Sequence, residues 1–222
     1  MAAAHGSMTT RVCVEATAKR AFASALAWPG WCRPGRDELA ALEALTGYAT
    51  RYAAVAAEAG IAPPTPAALS VVERVPGNAT TDFGAPNTPA AEEAEALVGP
   101  DSERLTALLA ATWAVFDRVV AGAPPALRKG PRGGGRDRDK IVDHVLAAER
   151  EYARKLGFRT VAPTAGEEAR IAAMREGIVT TLRDRGAGDP SSAGAWLPRY
   201  ALRRMAWHVM DHAWEIEDRT DR

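Results

Sequence analysis

The sequence has few cysteines, no excess of charge of either sign and no long apolar run, and each shortage excludes a class of protein. Two cysteines, Cys13 and Cys32, are too few for a disulfide framework, and neither has a C-x-x-C partner, so we expect two free, partly buried thiols. Lys plus Arg and Asp plus Glu each number 28, which gives a formal net charge of zero. No overall field then attracts polyanions, so we expect neither nucleic acid nor an acidic membrane as a partner.

The longest apolar stretch free of charged residues, 105–116, is too short to cross a bilayer. The N-terminal residues also lack the basic segment followed by an apolar segment that marks a secretory signal. These two features predict a cytoplasmic protein. Residues 1–7 are typical of a remnant of an expression tag, because Gly6 and Ser7 precede a second start methionine, Met8, and His5 is therefore left out of any site.

What the chain does contain is ample apolar material for a core, since 47% of its 222 residues are hydrophobic. Residues 8–78 predict a small α+β unit. Within it, the β-leaning segments 11–17 and 20–28 flank a two-residue connection, which is typical of a hairpin. An amphipathic pattern predicts one helix over 37–60, and alternation of apolar and polar residues predicts a further strand over 69–75.

Residues 79–99 are rich in Pro, Gly, Thr and Asn, and this change of composition predicts a linker between two domains. Phe83 lies in the linker and is expected to need burial, while Asp82 beside it needs a partner. Two interpretations stay open. The segment is either a linker anchored by one aromatic side chain or a loop that reaches the cavity of the second domain.

Residues 100–222 predict an all-α domain, so the fold class is α+β with a helical C-terminal part. Apolar periodicity, helix stop signals and loop composition divide it into four helices. Lengths of 15 to 22 residues, read from the sequence, suggest a four-helix bundle. The predicted helices run over 101–121, 139–156, 166–185 and 198–219.

Two histidines in the last predicted helix, His208 and His212, form the pattern H-x-x-x-H. At 3.6 residues per turn they project from one face, where two imidazoles can share one metal ion. The spacing alone leaves a metal site and a solvated pair evenly balanced. His144 favours the metal, because it lies in an apolar-periodic helix and is predicted to point inward, where an imidazole needs a partner. A metal site of His144, His208 and His212 follows.

Acidic residues of the same helix are candidates for a catalytic role. Glu215 lies on the histidine face, and Asp211 lies about 100° to one side of it. A metal-bound imidazole usually donates its second N–H to an outer partner, so either carboxylate can orient a histidine or move a proton.

Basic residues near the predicted site are candidates for binding the polar groups of a cofactor. The segment 127–140 surrounds three consecutive glycines with cations, among them Arg132 and Arg136, directly before the His144 helix. Backbone N–H groups and guanidinium forks there can close over an anion, although a solvated connection between helices fits as well. Arg204, which lies on the histidine face, is a third candidate.

The order of these histidines resembles the DinB-like superfamily, also called the YfiT group, over residues 100–220. The resemblance rests on His144 in the segment D-H-V-L-A-A-E and on H-x-x-x-H in a final helix. It implies a four-helix bundle with a three-histidine site for one divalent ion, commonly zinc, nickel or iron. The superfamily contains thiol-dependent S-transferases and isomerases, metal hydrolases and resistance proteins. Arg far outnumbers Lys, which suggests a GC-rich genome, so actinobacterial mycothiol is the thiol cofactor that the resemblance favours.

The N-terminal unit, residues 8–78, is similar in element order to HicB-like domains, which run through a β-hairpin, a Pro-Gly turn and a helix. In that family the domain is an antitoxin or an accessory fold, and no toxin-binding residue can be transferred to this sequence.

The leading hypothesis is a divalent-metal-dependent enzyme, a transferase or a hydrolase, with an open coordination position and a small-molecule substrate. The alternative is a non-catalytic protein that binds or sequesters a metal or ligand, or that contacts a partner through its first domain. A vestigial site in a structural bundle is a third possibility. A homodimer is among the assemblies that the sequence allows.

Overall fold

A computed structural model describes residues 9–64, 69–130, 134–186 and 195–220. It contains one mixed sheet near the N-terminus followed by helices, which confirms the α+β class. The sheet has the strand order β3-β2-β1-β4, in which β1 pairs parallel to β4 and the other pairs are antiparallel. The strands are β1 (Thr10–Ala16), β2 (Ala21–Ala25), β3 (Cys32–Gly35) and β4 (Leu69–Pro76).

Seven α-helices and one 3-10 turn are formed by the described residues. The turn covers Ala91–Ala94. The helices are α1 (Glu38–Gly47), α2 (Ala49–Glu58), α3 (Ala79–Phe83), α4 (Gly99–Gly122), α5 (Arg138–Leu156), α6 (Glu168–Gly186) and α7 (Pro198–Arg219). The last four match the four predicted helices of the C-terminal part to within about two residues.

The hairpin and the later strand are confirmed as β1, β2 and β4, but the single helix predicted over 37–60 is wrong. Asp37 does cap the first turn, since its side chain accepts a hydrogen bond from the backbone N–H of Ala40. The helix then breaks at Tyr48, which separates α1 from α2. The apolar residue Leu39, in the first turn of α1, is 67% exposed, so it does not belong to the buried face that the amphipathic pattern predicts.

Residues 79–99 contain α3 and the 3-10 turn. Asp82 accepts a hydrogen bond from the hydroxyl of Thr17 at 2.5 Å and pairs with Lys19 at 3.3 Å, so it has the partner that the sequence required. Phe83 is 91% exposed, which corrects the expectation that it is buried. The carboxylate of Glu15 in β1 accepts the backbone N–H groups of Asn87 and Thr88. The limits of the two domains stay a prediction.

Helices α4 to α7 pack together, and α4 and α7 form the most extensive of these contacts. Within the described ranges, α4 alone is long and apolar enough to cross a membrane, and half of its most apolar window is buried inside the protein. A core helix of a soluble protein meets the same criterion. Its buried side chains include Leu108, Leu109 and Phe116, as expected for a helix at the centre of a bundle.

One hydrophobic cluster runs from the sheet into the bundle. It joins Val12 and Trp31 to Leu109 and Met210. A second contact across the same boundary is the edge-to-face pair of Phe22 and Trp207, whose ring centroids are 6.0 Å apart. Helix α7 therefore contributes one face to the bundle and another to the sheet.

Both cysteines are free and buried, Cys13 in β1 and Cys32 in β3. Burial is the main reason that the pKa of the Cys32 thiol rises to about 11. Such a thiol stays protonated at neutral pH and is a poor nucleophile or metal ligand.

Candidate metal centre

Helix α7 supplies most of the side chains of the candidate site. It begins at Pro198, a residue that fits the first helical turn because its missing N–H needs no partner there. Residues 204, 208, 212 and 215 then follow at spacings of four, four and three, which places them along one stripe of the helix. His208 is only 7% exposed, and His212 is partly buried. The alternative interpretation, in which the histidines of this face form a solvated pair, is thus excluded for His208.

His144 reaches the same place from α5. Its ring centroid lies 5.1 Å from that of His208 and 5.0 Å from that of His212, and the two α7 rings are 4.6 Å apart. One ring nitrogen of each histidine lies within 4.8 Å of one nitrogen of each of the others. Ligands of a tetrahedral zinc ion are about 3.3 Å apart, so small side-chain rotations bring the three nitrogens to bonding distance. The three histidines can hold a metal ion.

The state of the imidazoles suits a metal ligand. Burial is the main reason that the pKa of His208 lies well below its ordinary value, and the neighbouring His212 and Arg204 lower it further. Burial likewise lowers the pKa of His144, and His212 adds to the effect. Neutral imidazole is the form that coordinates a cation. Nδ1 of His208 is buried and has no hydrogen-bond partner in the described part of the chain.

His212 has the outer partner that a metal-bound histidine usually has. Its Nδ1 lies 2.7 Å from one carboxylate oxygen of Glu215, and the other oxygen accepts a hydrogen bond from Arg219 at 2.6 Å. Arg219 also donates to the backbone carbonyl of Arg128 at 2.9 Å. The hydrogen bond from His212 is the main reason that the pKa of Glu215 is lowered, so this carboxylate is ionised. The chain of contacts fixes the ring and leaves its Nε2 for an ion.

The other predicted site residues lie in different surroundings. Asp211 accepts a hydrogen bond from Arg33 at 3.0 Å, and Arg33 lies over the ring of Tyr48, so this carboxylate belongs to the contact between α7 and the N-terminal unit. Arg136 is exposed, and its charge contributes to the lowered pKa of His144. Arg132 lies outside the described residues.

Tyr152 and Trp207 border the site, and neither Tyr152 nor Trp196, whose ring stacks on it, was identified from the sequence. The ring of Tyr152 lies edge-on to His208 at 5.7 Å and stacks on Trp196 at 5.2 Å. Trp207 lies 5.9 Å from His208. Tyr152 could have been found, because it follows His144 by eight residues and therefore shares its helical face.

Comparisons with protein-family models, with curated proteins and with solved structures gave no match to this chain. The DinB-like and HicB-like resemblances stay predictions.

Proposed function

We propose that the chain binds one divalent transition-metal ion through His144, His208 and His212. The observation that carries the proposal is the convergence of three ring nitrogens from two helices on one point. Two further features fit the ion: the partnerless, buried Nδ1 of His208 and the carboxylate of Glu215 on Nδ1 of His212. Three imidazoles suit zinc best, and nickel or iron(II) are also compatible with this donor set.

We further propose that the site is catalytic. Within the described ranges the candidate group contains only these three ligands, which leaves coordination positions for water or substrate. A bound ion supplies a nucleophile at neutral pH, by lowering the pKa of bound water or thiol, or polarises a carbonyl. Glu215 is ionised and lies 2.7 Å from Nδ1 of His212, so its role in this proposal is to orient that imidazole. Asp211, committed to Arg33, is left out of this role.

The reaction class that we propose is the one that the DinB-like resemblance implies: a thiol-dependent S-transferase or isomerase, with a metal hydrolase as the other form. Mycothiol is the proposed thiol, on the basis of the Arg-rich composition. The substrate is a small molecule, and the protein is cytoplasmic. A partly buried site among aromatic rings favours a small molecule over a macromolecule.

The second candidate function is sequestration of a metal or ligand without catalysis. It is supported by the burial of His208, since a buried ion exchanges slowly with solvent. The number of waters on the ion distinguishes the two functions, because a catalytic ion keeps at least one exchangeable position.

The test is metal analysis of protein purified without a His tag and dialysed against zinc. We expect about one zinc per chain in the natural sequence and none above background in a His208→Ala, His212→Ala double variant. Glu215→Gln is expected to keep the ion but to weaken its affinity about 10- to 100-fold. Asp211→Asn, a change on the same helix turned toward Arg33, is the matched control and is expected to bind zinc normally. Equal, substoichiometric zinc in the natural protein and the double variant would overturn the proposal.

A further inference from the structure

Arg204 is a buried cation that has no ion-pair partner among the residues that the structure describes. It lies one helical turn before His208, about 6 Å away along the axis of α7. Its side chain is buried, with only 6% of the residue exposed. Its guanidinium makes no hydrogen bond and no ion pair with any residue that the structure describes, and Nε and Nη1 are fully enclosed.

The preceding residue shows how this fold treats a structural arginine. Arg203 is equally buried, but its Nε donates to Glu93 at 2.5 Å and its Nη2 to the same carboxylate at 2.8 Å. The guanidinium of Arg204 lies over two aromatic rings instead: its Cζ is 4.4 Å from the ring centroid of Trp207 and 5.2 Å from that of Tyr152. Cation–π contacts leave the N–H donors at the guanidinium edge unsatisfied. A buried donor without a partner destabilises the fold, so stability does not explain Arg204.

The same two rings enclose the candidate metal ligand. Tyr152 and Trp207 contact His208 as well as Arg204, so guanidinium and imidazole share one aromatic enclosure. Nε1 of Trp207 is a further buried donor without a partner in the described chain. The guanidinium of Arg204 and the indole N–H of Trp207, both without a hydrogen-bond partner at their enclosed nitrogens among the described residues, therefore lie within one helical turn of His208.

We propose that Arg204 binds the carboxylate of the substrate or cofactor while another atom of the same molecule reaches the metal ion. This inference rests on the proposed function, which it deepens by naming the ligand class. A planar guanidinium with rings against its faces presents its edge, which matches the two oxygens of a carboxylate. One fixed positive charge also matches a single negative charge, so a monoanionic carboxylate fits better than a phosphate dianion.

The first arm of the test uses metal-free protein, so that it does not depend on the metal site. We expect butyrate to bind more tightly than its neutral analogue butyramide, and at least about tenfold more tightly than inorganic phosphate, by isothermal titration. In Arg204→Met the advantage of butyrate is expected to disappear. Arg199→Gln, an arginine of the same helix that pairs with Asp101, is the control and is expected to keep it.

The second arm uses protein loaded with Co²⁺, whose absorption reports thiolate binding. We expect 3-mercaptopropionate to bind at least about tenfold more tightly than 3-mercaptopropan-1-ol. In Arg204→Met this difference in affinity is expected to vanish, while Co²⁺ still binds. Loss of Co²⁺ binding in the natural protein together with an intact first arm would overturn the proposed function and leave the subsite standing. Normal Co²⁺ binding with no carboxylate preference in either arm would overturn the subsite alone, and tighter binding of phosphate than of butyrate would overturn the carboxylate assignment.

Stability distinguishes a ligand-binding arginine from a structural one. Because Arg204 has no hydrogen bond or ion pair to lose among the described residues, and a methionine side chain can still pack on Trp207 and Tyr152, Arg204→Met is expected to unfold at the same urea concentration as the natural protein or a higher one. A clear fall in that midpoint would show that Arg204 is structural and would overturn the inference.

Discussion

Glu149 in α5 is the most buried carboxylate in the described part of the chain, with no exposed surface. One of its oxygens accepts a hydrogen bond from the indole of Trp113 at 2.8 Å, and the other lies 3.6 Å from Nε of Arg175 without a hydrogen bond. Burial outweighs the nearby guanidinium, so the pKa of Glu149 is raised above its ordinary value of 4.5. In the folded protein this side chain holds a proton at a pH where the unfolded chain has lost it.

The raised pKa predicts how stability changes with pH. A group whose pKa is higher in the folded state contributes stability that is fully present below the unfolded-state pKa and is lost as pH rises through the folded-state value. We therefore expect the natural protein to become more stable relative to Glu149→Gln as the pH falls from about 7 toward 4.5. Urea unfolding of both proteins at several pH values measures the difference.

Glutamine keeps the shape and the acceptor for Trp113 but cannot titrate, so all other ionisable groups cancel in the comparison. Exposed Glu168→Gln on α6 serves as the control and is expected to show no pH-dependent difference. A difference that grows as the pH rises, or none at all, would mean that Glu149 is ionised in the folded protein and held by Arg175.

Single-residue inference from the sequence worked where helical spacing decides geometry. The inward direction of His144, the shared face of His208 and His212 and the place of Glu215 beside them all follow from 3.6 residues per turn. Asp211 shows the limit. Its partner Arg33 is 178 positions away along the chain, and no local pattern predicts such a contact. The orphaned state of Arg204 is likewise visible only when the surrounding elements are in place.

At the scale of elements, the sequence identified long helices well and missed short or interrupted ones. Strand β3 is not among the predicted strands, since it contains Pro34 and Gly35, which are typical of turns. Proline is tolerated in it because β3 is an edge strand, where a backbone N–H is not needed on the open side. The break at Tyr48 also escaped prediction. At the break the ring of Tyr48 packs against Trp214 of α7 at 4.9 Å, a contact that no local pattern predicts.

Substitution by alanine is expected to change stability in different ways at two glycines of this region. A Cβ at Gly35 would lie 2.2 Å from the backbone nitrogen of Ala41. Strand β3 can therefore approach α1 this closely only because position 35 is a glycine. A Cβ at Gly47, the last residue of α1, meets no atom within 4 Å. We expect Gly35→Ala to lower the free energy of unfolding by about 1–3 kcal/mol. Gly47→Ala is expected to leave it unchanged or to raise it by up to about 1 kcal/mol.

Chemical denaturation of the two variants under one condition checks both signs. An equal effect at the two positions would indicate that alanine acts through backbone entropy alone and that β3 and α1 are not in tight contact. Retained stability in Gly35→Ala would mean that the edge strand can move away from the helix without loss.

At the scale of the whole molecule, the sequence indicated two units joined by a linker, whereas the structure joins their cores. The composition of residues 79–99 predicts a loop. The structure agrees in that this segment contains only a short helix and a 3-10 turn. Composition does not reveal that Glu93 in this segment reaches Arg203 of α7, or that Phe22 packs on Trp207. Burial across a boundary depends on three-dimensional placement, which hydrophobic periodicity along a single element cannot report.

A shared core predicts that the described sheet and bundle unfold as one cooperative unit. Amide hydrogen exchange read by mass spectrometry should give peptides from β1 and from α7 the same free energy of global opening. Glu93→Gln removes the charge opposite buried Arg203, and breaking such a pair costs about 3 kcal/mol, so we expect both sets of peptides to lose protection by equal amounts. Glu92→Gln is the matched control. Glu92 pairs with the exposed Arg11, so this variant should change the protection of neither set of peptides. Two separate transitions, or a loss confined to the α7 peptides in Glu93→Gln, would show that the boundary between the units is a true domain boundary and that the contacts across it are too weak to couple them.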